Sequence, residues 1–440
     1  MVLTAWDLIL PPFYIFLILI IADIIRKKNQ ELNPAYHYYV YGLLAKIIGA
    51  ITLCLIYQFY YRGGDTVNYF RSSVCILNIF GKDQGTFFDI LSGGNTPENY
   101  SYFDSSTGYP PYWGDKYSDF VARFMTPICF LGAKSFIPSA IILAWLCYTG
   151  IWRLYLLFSE QFPGVYKKLA ISILFFPSVL FWGSGILKDS ITISAVGWYA
   201  YSFNRLLVKK NYSLFNIFAL ITSAYLLISI KPYILFALLP GSLIWLSNEK
   251  LVRIKNKFFK ALVTPLVLAI GVSIGFVALT EMGDVLGTYA LNNVMHRAVE
   301  TQSDLKQDYY GGNTFDIGSF DPSVGGMLSK AHLAIAAGLF RPYLWDVKNP
   351  VMLLSALENS YILVLTIFLV LKIRVVGFLR LISKNPLLLF SILFSLFFAF
   401  SVGISTPNFG SLVRLRIPCL PFFVSSLFVL QYLYQQKRKD

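Results

Sequence analysis

Five short stretches carry side chains whose types and spacing could do chemistry. The first is Tyr60-Tyr61-Arg62-Gly63-Gly64-Asp65-Thr66-Val67-Asn68-Tyr69. Its two glycines allow a sharp backbone turn. If a helix starts there, Tyr69 stands one turn beyond Asp65 on the same face. Asp65 is then either a partly desolvated proton acceptor at a membrane boundary or a cap for the helix that follows. Arg62 adds a cation beside it. The second stretch is Phe176-Pro177-Ser178 followed by Trp182-Gly183-Ser184-Gly185-Ile186-Leu187-Lys188-Asp189-Ser190. A lysine in the first turn of a helix makes an anion site suited to phosphate. The alternative is a structural Lys188–Asp189 pair.

The third stretch, Lys231-Pro232-Tyr233, places a proline at a position suited to the start of a helix. Lys231 either joins the anion site or snorkels to the membrane surface. The fourth is dispersed: His296-Arg297, Tyr309-Tyr310-Gly311-Gly312-Asn313, Arg341-Pro342-Tyr343-Leu344-Trp345-Asp346, and Glu358-Asn359. The Arg341 guanidinium can grip a phosphate in bidentate fashion or serve as an interfacial anchor. Glu358 falls inside an apolar block and needs a partner. His296 is either part of a site or a structural or solvated histidine. The fifth is Thr406-Pro407-Asn408-Phe409-Gly410-Ser411-Leu412-Val413-Arg414-Leu415-Arg416-Ile417-Pro418. On a helix Arg414 and Arg416 point roughly 200° apart. At most one of them faces a shared cavity, and Arg414 is the better placed.

The elements that must position these groups are membrane helices. Of 440 residues, 56% are apolar and 17% aromatic, and only 14% are charged, against ~25% in an ordinary soluble domain. A soluble enzyme, a disordered chain, a collagen and a disulfide-stapled module are excluded. The five cysteines are odd in number and scattered, with no CxxC pair, and His37, His296 and His332 stand far apart. Neither a disulfide framework nor a metal site is expected.

The apolar blocks predict about eleven membrane spans of about 20 residues: 8–25, 40–60, 136–158, 168–183, 186–207, 213–230, 233–247, 261–279, 351–371, 387–404 and 417–434. The first carries Asp7, lacks a basic leader and runs into Arg26-Lys27-Lys28, so it reads as a span and not as a signal peptide. With those three residues in the cytoplasm, every alternate connection is basic: 159–167, 205–212, 248–260, 372–386 and the C-terminal tail. This is the positive-inside pattern. The net charge of +14 therefore reflects orientation and not nucleic-acid binding. The expected architecture is an all-α polytopic bundle over 1–440, N-terminus outside and C-terminus cytoplasmic. Two long outer loops, 61–135 and 280–350, carry interfacial helices, including an amphipathic stretch at 285–305. Stretch 121–134 is too short to span and is either re-entrant or interfacial. The first loop is rich in aromatics (Tyr100, Tyr102, Tyr109, Tyr112, Trp113, Tyr117), which either stack on sugars or form an interfacial belt.

All five stretches collect at outer span ends in this topology. A carboxylate base with several cations at one bilayer face suits glycosyl transfer from a polyprenyl-(pyro)phosphate sugar. The base takes the acceptor's hydroxyl proton, and the cations stabilise the departing phosphate. No nucleotide, metal or other cofactor is required. Three stretches resemble bacterial O-antigen and exopolysaccharide polymerases, and more loosely the GT-C superfamily of integral-membrane glycosyltransferases: Gly63-Gly64-Asp65-Thr66-Val67-Asn68-Tyr69, Phe181-Trp182-Gly183-Ser184-Gly185-Ile186-Leu187-Lys188-Asp189, and Asn408-Phe409-Gly410-Ser411-Leu412-Val413-Arg414-Leu415-Arg416. The resemblance implies an undecaprenyl-linked oligosaccharide donor, a site with functional arginines at the outer leaflet of the bacterial cytoplasmic membrane, and other polysaccharide-assembly membrane proteins as partners. Two other activities compete with polymerisation: transfer of single sugars from a polyprenyl phosphate, and flipping or transport of lipid-linked glycans. A transporter calls for charges at mid-bilayer. Here only Lys46 and Glu358 depart from the crowding at one face.

Overall fold

The computed structural model describes residues 2–252, 314–321 and 323–438. Among them the regular structure is helical, with an isolated antiparallel bridge between Thr314 and Asn408. In chain order the helices are α1 (Trp6–Gln30), α2 (Tyr39–Leu55), α3 (Asp65–Ile79), α4 (Gln84–Ser92), α5 (Pro97–Tyr100), α6 (Lys116–Leu131) and α7 (Phe136–Gln161). Then come α8 (Tyr166–Ile173), α9 (Pro177–Trp182), α10 (Lys188–Phe203), α11 (Leu214–Ile230) and α12 (Pro232–Val252). The later helices are α13 (Val324–Ser329), α14 (Ala331–Phe340), α15 (Pro350–Ile373), α16 (Val375–Lys384), α17 (Pro386–Ser405), α18 (Phe409–Leu415) and α19 (Leu420–Lys437).

Five of the described helices are long and apolar enough to cross a membrane: α1, the run Pro34–Tyr60 built on α2, α7, Met352–Ile373 within α15, and α17. The pair α18 and α19, bent by 68°, makes a sixth if it is one span. The segments expected to span at 213–230 and 233–247 form shorter apolar helices. The segment 168–183 is two short helices, α8 and α9, where one span is expected. Phe176 is extended (φ −69°, ψ 122°) and Pro177 opens α9, because a residue before proline is driven out of the helical region. The expected span at 261–279, the amphipathic stretch 285–305, His296-Arg297 and 309–313 lie outside the described residues.

The chain divides into two compact units. The first holds Met1–Leu157, Leu174–Tyr201 and Ala219–Lys231; the second holds Phe158–Ile173, Ser202–Phe218 and Pro232–Asp440. In the first unit α2 packs on α1 and α9, and α3 packs on α6 and α4. Leu43, Ile47, Ala50 and Leu53 are buried on one face of α2, while Tyr41, Leu44, Ile48 and Leu55 are exposed on the other. That is the stripe a 3.6-residue period creates. Polar groups tie the helix ends. Asp7 Oδ1 accepts the Ile137 amide at 2.7 Å, at the start of α7. Lys46 on α2 donates to the Gly183 carbonyl just after α9.

In the second unit α17 packs on α12, α14, α16 and α19. Gly338 on α14 lies against the Ala399 carbonyl, and Gly403 on α17 lies against the Ala334 carbonyl. Small residues let the two backbones approach closely. Phe390, Phe394 and Phe398, one turn apart on α17, form a buried ladder, and Phe422 of α19 packs edge-on to Phe390 and Phe394.

Candidate functional site

The first unit gathers two carboxylates (Asp65 and Asp115), the Lys188 ammonium and three hydroxyls (Tyr69, Tyr112 and Ser118) near the start of α3. The chain leaves the Pro34–Tyr60 run through Arg62, Gly63 and Gly64, all with positive φ (57°, 150° and 103°). Gly64 is the N-cap of α3. A Cβ there would be strained and would also meet the Tyr57 ring at 3.1 Å. Asp65 therefore falls on the first helical residue and is not the cap. Its Oδ1 accepts a hydrogen bond from the Tyr112 hydroxyl at 2.8 Å. Tyr69, one turn on, is buried with its ring 4.8 Å from that of Tyr112 and its Oη 3.5 Å from Ser118 Oγ.

Ser118 in turn donates to Asp115 Oδ2. Asp115 caps α6, its Oδ1 accepting the Tyr117 amide at 3.2 Å. The same carboxylate stands 3.6 Å from Lys188 Nζ. Partial burial pushes the Asp115 carboxyl up, but the Ser118 hydroxyl, the Lys188 charge and the Tyr117 amide outweigh it and leave the group below its ordinary range. Lys188 is the first residue of α10 and is mostly buried. Asp65 and Lys231 both lie near enough to act on its charge.

Lys188 and Asp189 do not pair with each other. Successive helical residues point about 100° apart, and each finds a different partner. Asp189 is fully buried and forms an ion pair with Lys231, itself buried. Lys231 is thus occupied inside the protein and does not snorkel. Ser190 closes the turn before α10 by donating to the Gly185 carbonyl at 2.6 Å. Arg62 is exposed and stands outside this network.

The rest of segment 61–135 forms α4, α5 and α6, and α4 and α6 pack on α3. Stretch 121–134 is mainly the C-terminal half of α6, held on α3. Its Arg123 pairs with Asp119 at 2.7 Å, and burial pushes the Asp119 carboxyl up against that pairing. Of the aromatics expected to meet sugars, Tyr100 packs at a tilt against Phe103, Tyr109 and Trp113, and Trp113 meets Phe103 edge-on. Tyr112 is engaged with Asp65, and Tyr102 and Tyr109 are exposed.

The second unit holds its own polar cluster. Arg416 is completely buried. Its Nη1 donates to the carbonyls of Arg341 (2.8 Å) and Leu339 (3.2 Å), and its Nη2 to Asn359 Oδ1. These carbonyls are the ones a helix C-terminus leaves unpartnered, so Arg416 caps α14. Asn359 also donates to the Pro342 carbonyl at 3.1 Å. Glu358 is half-buried and bears electrostatically on Arg416. Arg341 lies over the rings of Phe315 (5.1 Å) and Tyr343 (5.3 Å). Trp345 is 78% exposed and stacks on Tyr343. Arg414, in the last turn of α18, is half-buried.

Asp115 and Ser118 belong to this candidate site and carry no motif of their own in the sequence. Their signal is the N-cap pattern Asp115-Lys116-Tyr117-Ser118, which marks the start of α6 but says nothing about Lys188. No protein-family model, no curated protein and no solved structure matches the chain.

Proposed function

We propose that the protein is a membrane glycosyltransferase that polymerises polyprenyl-pyrophosphate-linked oligosaccharide repeat units at the outer leaflet of the bacterial cytoplasmic membrane. The observation that carries this reading is the Asp65–Tyr112 hydrogen bond at 2.8 Å with the Lys188–Asp115 pair in the same unit. Asp65 takes the proton of the acceptor hydroxyl as its oxygen attacks the anomeric carbon. The bond to the polyprenyl pyrophosphate breaks, and Lys188 holds the phosphate oxygen that leaves with the electron pair. Asp115 is half-exposed and pairs with Lys188 only at 3.6 Å, so it is a counter-ion that a phosphate can replace. A single displacement inverts the anomeric configuration.

The test is product length in membranes supplied with lipid-linked repeat units. The intact chain gives a ladder of polymers, and Asp65→Asn leaves single units on lipid. Addition of one sugar and no more points to a single-sugar transferase. Unchanged ladders in the variant remove Asp65 from the site.

A further inference from the structure

The C-terminal part of the second unit holds a basic cavity that none of the preceding chemistry uses. We propose that it binds the phosphate headgroup of an anionic phospholipid. The cavity, of about 110 Å³, is lined by Ile373, Gly377, Arg380, Leu381, Lys384, Tyr434 and Lys437. It lies between α16 and the end of α19, so three cations from two helices converge on one space.

Among the described residues none of these cations has a carboxylate to neutralise it. No ion pair joins Arg380, Lys384 or Lys437 to an acidic group among the described residues. The sequence has no Asp or Glu between Glu358 and Asp440, so Arg380 and Lys384 have no acidic neighbour on their own helix. Three like charges drawn together repel one another, and a bound anion removes that cost. The guanidinium suits a phosphate monoanion or diester. Tyr434 and the apolar wall from Ile373 and Leu381 suit the glycerol and first methylenes of a lipid.

The neighbouring helix supports a lipid and not a soluble anion. Val375, Val376 and Leu379 follow one edge of α16 and are each about 60–70% exposed (59%, 69% and 60%). Lys372, Arg374, Arg380 and Lys384 complete a basic amphipathic segment. Such a helix lies along a bilayer surface with its apolar edge among the acyl chains. A cavity beside it opens at headgroup depth, and basic pockets of this kind between membrane helices take anionic headgroups. On the positive-inside reading this is the cytoplasmic leaflet, so the inference is independent of any transferase chemistry on the other side.

The test uses the full chain in nanodiscs of phosphatidylcholine with phosphatidylglycerol, extracted into detergent, with retained lipid counted by native mass spectrometry. Wild type is expected to retain phosphatidylglycerol over phosphatidylcholine by at least about fivefold. The triple variant Arg380→Gln/Lys384→Gln/Lys437→Gln is expected to lose that preference, while Lys27→Gln/Lys28→Gln keeps it. Equal retention by wild type and the triple variant overturns the proposal. So does equal loss in both variants, which would reflect general surface charge. Inorganic phosphate at millimolar concentration serves as a separate arm. If it displaces the lipid and binds lipid-free protein as tightly, the cavity is a free-phosphate site and the lipid assignment fails.

Discussion

Tyr112 and Asp65 belong to different ends of the segment between α2 and α7, yet the Tyr112 hydroxyl donates to Asp65 Oδ1 at 2.8 Å. The contact orients the carboxylate at the first position of α3, where the positive-φ pair Gly63-Gly64 delivers it. Asp65 as base and Tyr112 as its positioning residue should then separate in rate. Asp65→Asn is expected to lower transfer by about 10²- to 10⁴-fold, the usual worth of a general base. Tyr112→Phe keeps the ring on Tyr69 and should cost about tenfold, the scale of one hydrogen bond. Equal losses in the two variants, measured as sugar transferred per minute in membranes, would contradict this division of roles.

The buried Asp189–Lys231 pair makes a sharper prediction about stability. Removing one partner leaves an uncompensated charge in a low-dielectric interior, at about 3–5 kcal/mol. Asp189→Asn and Lys231→Met should each lower the unfolding midpoint in detergent. The double variant should recover much of the loss, since both desolvation costs vanish together. Additive losses in the double-mutant cycle would show that the two side chains act separately.

Much of the positioning framework is legible from local pattern. The buried stripe Leu43, Ile47, Ala50 and Leu53 follows from helical spacing, and the glycine pair before Asp65 marks a turn followed by a helix. Pro177 also announces its helix start, although the apolar run around it reads as one continuous span. What local pattern misses is partner choice. Lys188 is adjacent to Asp189 and pairs with Asp115; Asp189 pairs with Lys231. Adjacency in sequence is a poor guide on a helix, where neighbouring side chains diverge, and these pairings are set by tertiary packing. The same holds for Arg414 and Arg416. Their spacing shows that they diverge, but not that Arg416 turns inward to cap α14.

Asp104 gives a prediction in pH. The Lys82 ammonium beside it, then the Ser106 hydroxyl and the Ser106 and Thr107 amides, hold its carboxyl well below the usual range. A carboxyl depressed in the folded state contributes stability that is present above its unfolded value, about 3.9. That contribution is lost as pH falls through the lower folded value. Hydrogen exchange over residues 82–108 should therefore be flat from about pH 7 to 5 once the intrinsic rate is removed, and protection should fall only below about pH 4. Lys82→Ala removes the largest cause and should shrink the fall, because the folded value then lies closer to the unfolded one. A loss of protection centred near pH 6 would require a different titrating group.

Arg416 and Arg414 should part company under substitution. Arg416 is enclosed, and its guanidinium serves the Leu339 and Arg341 carbonyls and Asn359 at once. Arg416→Met fills the volume but strands those acceptors, at about 1–3 kcal/mol for each one left buried and unpartnered. Arg416→Lys should not rescue, because a single ammonium cannot reproduce the planar fork. Both variants should lower the unfolding midpoint and reduce activity only in proportion to the folded protein recovered. Arg414→Ala, by contrast, is expected to abolish polymer while shifting the midpoint less than either Arg416 variant. Activity per folded molecule, with folding measured by thermal melts of the purified full chain, decides between the two roles. If Arg416→Lys melts like wild type and has lost transfer, Arg416 belongs to the reaction and not to the wall that supports it.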